Sequence, residues 1–326
     1  PGLTATMATA LLVPVTFFMA PVPALGAIVT ATAMAIFAGD IPAAMLRMPG
    51  TPASAAYADE SYEMTKKGQL DLCMGVNLVF SVLGGIFGVV ILIVLAPVLA
   101  EVAINFSSFE YFWLACLGLT CAVFIGTGDP LKGLLSLFIG LAIGCIGIDP
   151  AAGQPRFTFG NVDLLSGINF IPTLIGMFAV SELLRGAVTM EKGGAVVAQA
   201  VGSLMTGVGG VFRKYWFNFL RGSTIGTVIG ALPGAGADIA AWVSYAVSKK
   251  TSKEPEKFGT GHIEGIVDST SANNSALGGA WIPALVFGIP GDSITAIVIG
   301  VLYMKGMNPG PSVFLQTPEL IYAVFI

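Results

Sequence analysis

The chain has 326 residues, 55% of them hydrophobic and only 10% charged, with a mean hydropathy of +0.85. A soluble domain carries about 25% charge, so a water-facing globular surface is excluded and an all-α polytopic membrane protein is predicted. The net charge of −4 says little about partners, no nucleic acid is expected, and Cys73, Cys116, Cys121 and Cys145 lack metal-ligand spacing and read as small buried hydrophobes.

The chain opens "PGLTATMATALLVPVTFF", with no initiator Met and no positively charged signal region, and it closes "ELIYAVFI" within an apolar run. Both ends read as those of a piece of a longer protein. "ALGAIVTATAMAIFAGD" (24–40) and "IPAAMLRMPG" (41–50) follow the opening, and then a polar stretch, "DESYEMTKKGQLD" (59–71). The run at 78–100 has 23 residues without a charge, beyond the roughly 20 that cross a hydrocarbon layer. Residues 111–128, 133–148 and 167–180 are further predicted spans. A mixed segment, 185–222, carries five basic residues, and 249–265 is a charged loop. His262 and Glu264 in that loop read as a solvated face, and Glu182 with Arg185 as a local ion pair at a span end.

Charge placement predicts an orientation. Lys66 and Lys67 precede the 78–100 span, Lys132 follows the next, and Arg185, Lys192, Arg213, Lys214 and Arg221 follow the one ending near 184. Alternation across the spans puts these on one side, which the positive-inside rule makes cytoplasmic. The protein is expected in a bacterial cytoplasmic (inner) membrane.

An internal repeat organises the rest. "IPAAMLRMPG" (41–50) and "IPALVFGIPG" (282–291) match at five of ten positions, and "PGLTATMA" (1–8) pairs with "PGAGADIA" (233–240) in the same order. The division predicted is 1–222 for the first repeat with its spans and basic segment, and 223–326 for the start of the second. Whether the halves are inverted stays open. Each half carries two Pro-Gly faults in apolar sequence, at 1–2 and 49–50, then at 233–234 and 290–291. Proline removes an N–H and glycine loosens the helix. Irregular backbone at membrane depth is tolerated only against protein or a polar cavity. Matched broken segments in two halves point to a transport site at the repeat interface, with re-entrant-type hairpins.

Polar side chains gather at these faults: Thr4 and Thr6 after the first, Gly50, Thr51 and Ser54 at the second, with Asp40 ahead of it. Gly234, Gly236 and Asp238 mark the third. Asn273, Asn274 and Ser275 lead towards the fourth, where Gly291, Asp292, Ser293 and Thr295 stand. An ionisable residue within a membrane segment is functional by default. Asp238 is therefore the foremost substrate- or ion-binding candidate, including for a sodium ion, with a helix-start carboxylate as the alternative. Asp292 is equally readable as a cap.

The blocks "PGAGADIAAWVSYAVSKK", "ANNSALGGAWIPALVFGIPGDSITAIVIGVLYMKGMNPGP" and "DPAAGQPRFTFGNVDLLSGINF" resemble the large membrane subunit of the tripartite tricarboxylate transporters, and the resemblance covers essentially the whole chain. It implies secondary active uptake of carboxylate solutes coupled to an ion gradient, usually sodium, with a sodium ion or proton as coupling ion and no other cofactor. It also implies two partners, a periplasmic solute-binding protein and a small membrane subunit of about four helices. The family signature falls on Pro1, Gly2, Thr4, Pro49, Gly50, Pro233, Gly234, Gly236, Asn273, Asn274, Pro290 and Gly291. Asp238 and Asp40 depart from the family's commoner residues, as does the "DS" of Asp268 and Ser269, so the resemblance extends to carboxylates in general rather than to a tricarboxylate.

Two other classes compete. A passive channel or structural membrane subunit fits the composition, but duplicated broken segments favour alternating access. An intramembrane aspartyl protease needs two aspartates sharing a proton; "FAGD" (37–40) and "IPGD" (289–292) lack the first glycine of its signature. ATP-driven transport has no support, because "GVGGVFRK" (207–214) has neither the spacing nor the hydroxyl of a phosphate-binding loop.

Overall fold

The computed structural model describes residues 5–125, 130–149, 153–168, 202–316 and 318–325, with the single positions 173, 176, 180 and 184. The predicted span at 167–180 and the Glu182–Arg185 pair lie almost wholly outside the described residues, as does Thr4. The described chain is predominantly helical. One short antiparallel ribbon pairs β1 (Gly147–Ile148), at the end of the predicted 133–148 span, with β2 (Pro155–Arg156) in the link after it. That span is shorter than expected, because its helix stops at Gly144 and the chain turns into the ribbon.

α1 (Ala5–Phe17) and α2 (Pro21–Ala38) are joined by three residues, and Pro21 starts α2 where a missing N–H costs nothing. Gly39 leads into α3 (Asp40–Leu46), and a short turn precedes α4 (Ala58–Lys66). α5 (Leu70–Ala103) runs for 34 residues, about 51 Å at 1.5 Å per residue, and contains the predicted 78–100 span. It and the rod Pro21–Leu46 are the two described helices long and apolar enough to cross a membrane. α6 (Ser108–Ile125) and α7 (Pro130–Gly144) follow.

Next come α8 (Val208–Gly230), which runs across the predicted boundary at 222, then α9 (Gly236–Thr251) and α10 (Ile263–Phe287). α11 (Ser293–Met304), α12 (Val313–Gln316) and α13 (Pro318–Phe325) complete the chain. α8 and α9 form a hairpin in which the end of α9 comes back beside the middle of α8, since Arg221 on α8 donates to Thr251.

Helix faces are distinguished by size rather than polarity. On α5 the outward residues Val82, Ile86, Val90 and Val94 are all at least half exposed. The inward stripe holds Gly84, Gly88, Ala96 and Ala100. An outer face as apolar as the inner one is the pattern of a lipid-facing helix, where small residues let backbones meet. A β-carbon on Gly84 would stand 2.5 Å from the Ser271 carbonyl oxygen, and one on Gly88 would stand 2.6 Å from that of Ser275. From the other side, Gly222, Gly226 and Gly230 of α8 press on Asp268, Ala272 and Ala276. Both series advance by four residues together, so α5, α8 and α10 run parallel with α10 between two glycine ladders. Their N-termini therefore lie at one end, and Lys66, Lys67, Arg213, Lys214 and Arg221 go with them.

Candidate functional site

The two matched decapeptides adopt the same backbone. At 41–50 the rod of α2 and α3 ends on Arg47 in the left-handed region (φ 57°), and the Met48 N–H bonds to the Pro42 carbonyl at 3.3 Å. At 282–291 the helix ends on Gly288 (φ 67°), and the Ile289 N–H bonds to the Pro283 carbonyl at 3.2 Å. The following Pro-Gly then folds back on the helix it has left. A β-carbon on Gly50 would be 2.6 Å from Gly39 Cα, and one on Gly291 would be 2.7 Å from Ala280 Cα. Each glycine meets the residue eleven positions before it. Only glycine permits that approach. After each fold-back the chain starts a new helical segment.

The second of these segments starts with a complete capping box. Asp292 Oδ1 accepts from the Thr295 N–H at 2.7 Å, and the Thr295 hydroxyl accepts from the Asp292 N–H at 2.9 Å. In the first, Thr51 and Ser54 bond reciprocally, each hydroxyl accepting the other's N–H at 3.1 Å. These four side chains are committed to shaping the backbone at the faults.

The third fault, at the tip of the α8–α9 hairpin, meets both. Gly234 and Gly236 take positive φ (83° and 59°), and a β-carbon on Gly236 would fall 2.6 Å from Asp292 Cβ. Asp238, in the first turn of α9, stands beside Asp292 and the backbone N–H of Ala53. Trp242, one turn on, donates from Nε1 to the Pro52 carbonyl at 3.2 Å. The start of α1 closes the ring, with Thr6 Oγ1 at 3.1 Å from Ser293 Oγ. Residues 5–6, 50–54, 234–242 and 291–295 thus come together. Pro52, Asp238 and Ser293 are exposed there, and Thr6 and Asp292 are partly so. This is an open polar surface in a chain that is 55% hydrophobic.

Its electrostatics are one-sided. Two carboxylates lie side by side, and no Lys, Arg or His acts on either among the described residues. A third carboxylate brought within 4 Å of one of them meets a repulsion of roughly 4 kcal/mol at an effective dielectric near 20.

Asn273, Asn274 and Ser275 are elsewhere. They lie inside α10 rather than at the fault, all buried, facing its neighbours. Asn274 Nδ2 donates to Ser81 Oγ at 3.0 Å, and Ser275 Oγ donates to the Ser223 carbonyl at 2.9 Å. Asn273 Nδ2 donates to the Tyr57 hydroxyl at 3.2 Å, which in turn donates to Asp40 at 2.6 Å. His262 and Glu264 differ from the solvated face predicted for them. Their side chains are 11% and 14% exposed, and Glu264 joins Arg221, Asn218 and Ser252 in a cluster around the start of α10. Helix packing brings Arg221 over the loop and closes it off. Sequence reasoning passed over Pro52, Ala53, Tyr57 and Trp242. The "TPASAAY" stretch directly after the second Pro-Gly was the available signal for Pro52 and Ala53.

Comparison with known proteins gives one family match, to the tripartite tricarboxylate transporter TctA family, over residues 1–326. An uncharacterised 52.8 kDa protein from the TAR-I ttuC′ 3′ region of Agrobacterium vitis is 35% identical over 324 residues, which cover 99% of this chain and 64% of that protein. An uncharacterised protein from the TAR-II ttuC′ 3′ region of the same organism is 40% identical over 99 residues, 30% of this chain and 41% of its own. No solved structure matches the chain.

Proposed function

The chain belongs to the tripartite tricarboxylate transporter TctA family, a transporter family rather than an enzyme family, and we propose that it forms the translocation core of a secondary carrier for carboxylate solutes. The single observation that carries this reading is the convergence of the broken segments on an exposed, acidic surface on which no Lys, Arg or His acts among the described residues. A static pore needs no such construction, whereas unwound segments at a repeat interface are how secondary transporters build a site that two conformations can share.

Identical fold-backs of Gly50 on Gly39 and of Gly291 on Ala280 support a duplication. α1 and α11 run parallel, with Thr6 by Ser293 at their starts and Lys305 by Phe17 at their ends. α11 ends beside the loop that leads into α2, and α4 ends beside the loop that leads into α10. Each segment thus ends where the other repeat's long helix begins, which supports an inverted pair. The chain then crosses the bacterial inner membrane several times, with the basic end of α5, α8 and α10 in the cytoplasm.

Coupling follows from the electrostatics. A carboxylate solute cannot approach Asp238 and Asp292 without a compensating positive charge. A sodium ion or a proton bound with it lowers that barrier, which makes uptake depend on the ion. A periplasmic binding protein delivers the solute, and a small membrane subunit completes the assembly.

The test is uptake of labelled mono-, di- and tricarboxylates by the whole protein, with and without ion gradients and added binding protein. Saturable uptake that requires an inward gradient is the expected result, and Asp238→Asn is expected to fold but to lose or shift the ion dependence. Non-saturating, gradient-independent flux would assign a channel instead. Unchanged ion dependence in the mutant would leave Asp238 a helix-start residue.

A further inference from the structure

Asp40 lies at the start of α3, beside the glycine on which Gly50 folds back, and it is wholly buried. Its Oδ1 accepts from the Tyr57 hydroxyl at 2.6 Å, and its Oδ2 has no hydrogen-bond partner. The titratable groups that face it among the described residues are Tyr57, from the turn into α4, and Cys73, from α5. α2, α3 and α10 bring none, and no Lys, Arg or His acts on it.

An ionised carboxylate in such a place is a buried charge with one neutral donor, and burial of an unpaired ion is far costlier than burial of a neutral group with one hydrogen bond unmade. The packing seen here therefore fits the neutral acid. Asp40 is also connected. The Tyr57 hydroxyl receives Asn273 Nδ2 at 3.2 Å and sits beside Thr270. Thr270 Oγ1 donates to Asn77 Oδ1 at 3.0 Å, Asn77 Nδ2 reaches Cys73 Sγ at 3.8 Å, and that thiol points to the Ser61 carbonyl.

A phenol is both donor and acceptor. With Asp40 ionised, Tyr57 donates to the carboxylate. With Asp40 neutral, Tyr57 accepts the acid proton and turns its own hydrogen towards Thr270. The same heavy-atom positions serve both states, and only hydrogens move.

We propose that Asp40, with Tyr57 as its hydrogen-bond partner, is a proton-binding site inside the protein, taking one proton from water in one conformation and releasing it to water in another. Asp238, at the open surface, keeps the separate task of holding the positive charge that accompanies the solute. The use of the Asp40 proton in coupling rests on the carrier reading above; the binding site does not.

The test has two arms, both on the purified full-length protein. Infrared difference spectra during a pH titration are expected to show a carboxylic-acid carbonyl band that disappears at high pH. That band should be absent in Asp40→Asn and shifted in both frequency and midpoint in Tyr57→Phe. In reconstituted vesicles, a proton gradient without sodium is expected to accelerate wild-type uptake, and Asp40→Asn is expected to abolish that acceleration. A band that persists in Asp40→Asn would overturn the proposal, as would a titration midpoint that moves with sodium, which would make this a sodium site. If Asp40→Asn does not fold, Tyr57→Phe decides: an unchanged band removes the pair. A wild type that transports no carboxylate would defeat the carrier reading while the band still settled the proton site.

Discussion

Gly50 and Gly291 show how much one residue controls here. Each sits where the chain folds back with no room for a methyl group: a β-carbon there would stand 2.6 or 2.7 Å from a backbone atom of the helix just left. A β-carbon on Gly85 of α5 would meet no neighbouring atom within 4 Å. Gly50→Ala and Gly291→Ala are therefore expected to lose about 1–3 kcal/mol of stability through forced backbone shifts. Gly85→Ala should gain up to about 1 kcal/mol from helix propensity. Thermal denaturation of the detergent-purified protein checks all three, and equal effects would mean that the fold-back does not depend on glycine. These glycines were legible because Pro-Gly is rare inside apolar runs and recurs at matched positions. Tyr57 was not legible, since a tyrosine after a small-residue stretch carries no sign of the carboxylate seventeen residues back. Arg47 occupies the left-handed position that Gly288 holds in the other half, and nothing in the structure explains the arginine there beyond its pairing with Asp59 at 2.7 Å.

At the scale of elements, α10 is the best example of what periodicity can and cannot deliver. Its polar residues suggested an entry into the fourth fault, yet they lie within an unbroken helix of 25 residues. A helix held between two others can bury amides and hydroxyls all round, so polarity there marks interhelical bonding rather than a boundary. The glycine ladder of α8 makes that packing testable. A side chain at Gly226 would start 2.2 Å from Ser275 Oγ and 2.3 Å from the Ala272 carbonyl oxygen. Gly226→Leu is expected to separate α8 from α10 at a cost of about 3 kcal/mol or more, seen as a lost or much lowered unfolding transition. The end of α10 that carries Asp268 depends on charge instead. Arg221, 19% exposed, holds the wholly buried Asp268 at 2.6 and 3.0 Å from its two oxygens. Arg221→Ala leaves that carboxylate with Asn218 and Ser248 alone, and breaking a buried pair costs about 3–5 kcal/mol. Arg221→Ala with Asp268→Asn should recover part of the loss; a double variant as unstable as the single one would show that packing, not charge, dominates.

Over the whole molecule, the matched fold-backs of Gly50 and Gly291 were foreshadowed in the sequence by the Pro-Gly pairs, and the common end of α5, α8 and α10 by the basic residues. The clasps at the two ends were not, because they use backbone groups that leave no sequence signal. At the basic end, the wholly buried Glu60 of α4 accepts from the N–H groups of Gly259, Gly261 and His262 and from the Tyr245 hydroxyl. Lys67, the cap of the same helix, donates to the Thr260 carbonyl. At the other end Lys305, the cap of α11, donates to the carbonyls of Phe17 and Met19 at 3.1 and 2.7 Å. Each clasp thus joins the helix that follows one fold-back to the loop before the long helix that leads into the other. The alternating-access cycle proposed above would release one clasp while the other holds. Removing either should therefore open only its own end. Charge-assisted hydrogen bonds contribute about 1.5–3 kcal/mol each, and every 1.4 kcal/mol is tenfold in an equilibrium. Glu60→Gln is expected to raise the labelling rate of the buried Cys73 by an impermeant thiol reagent about tenfold or more, leaving a cysteine placed at the buried Thr16 unchanged. Lys305→Gln is expected to do the reverse, in a background with the other native cysteines replaced. If both variants open both ends together, the clasps are structural ties and the two halves do not move against each other.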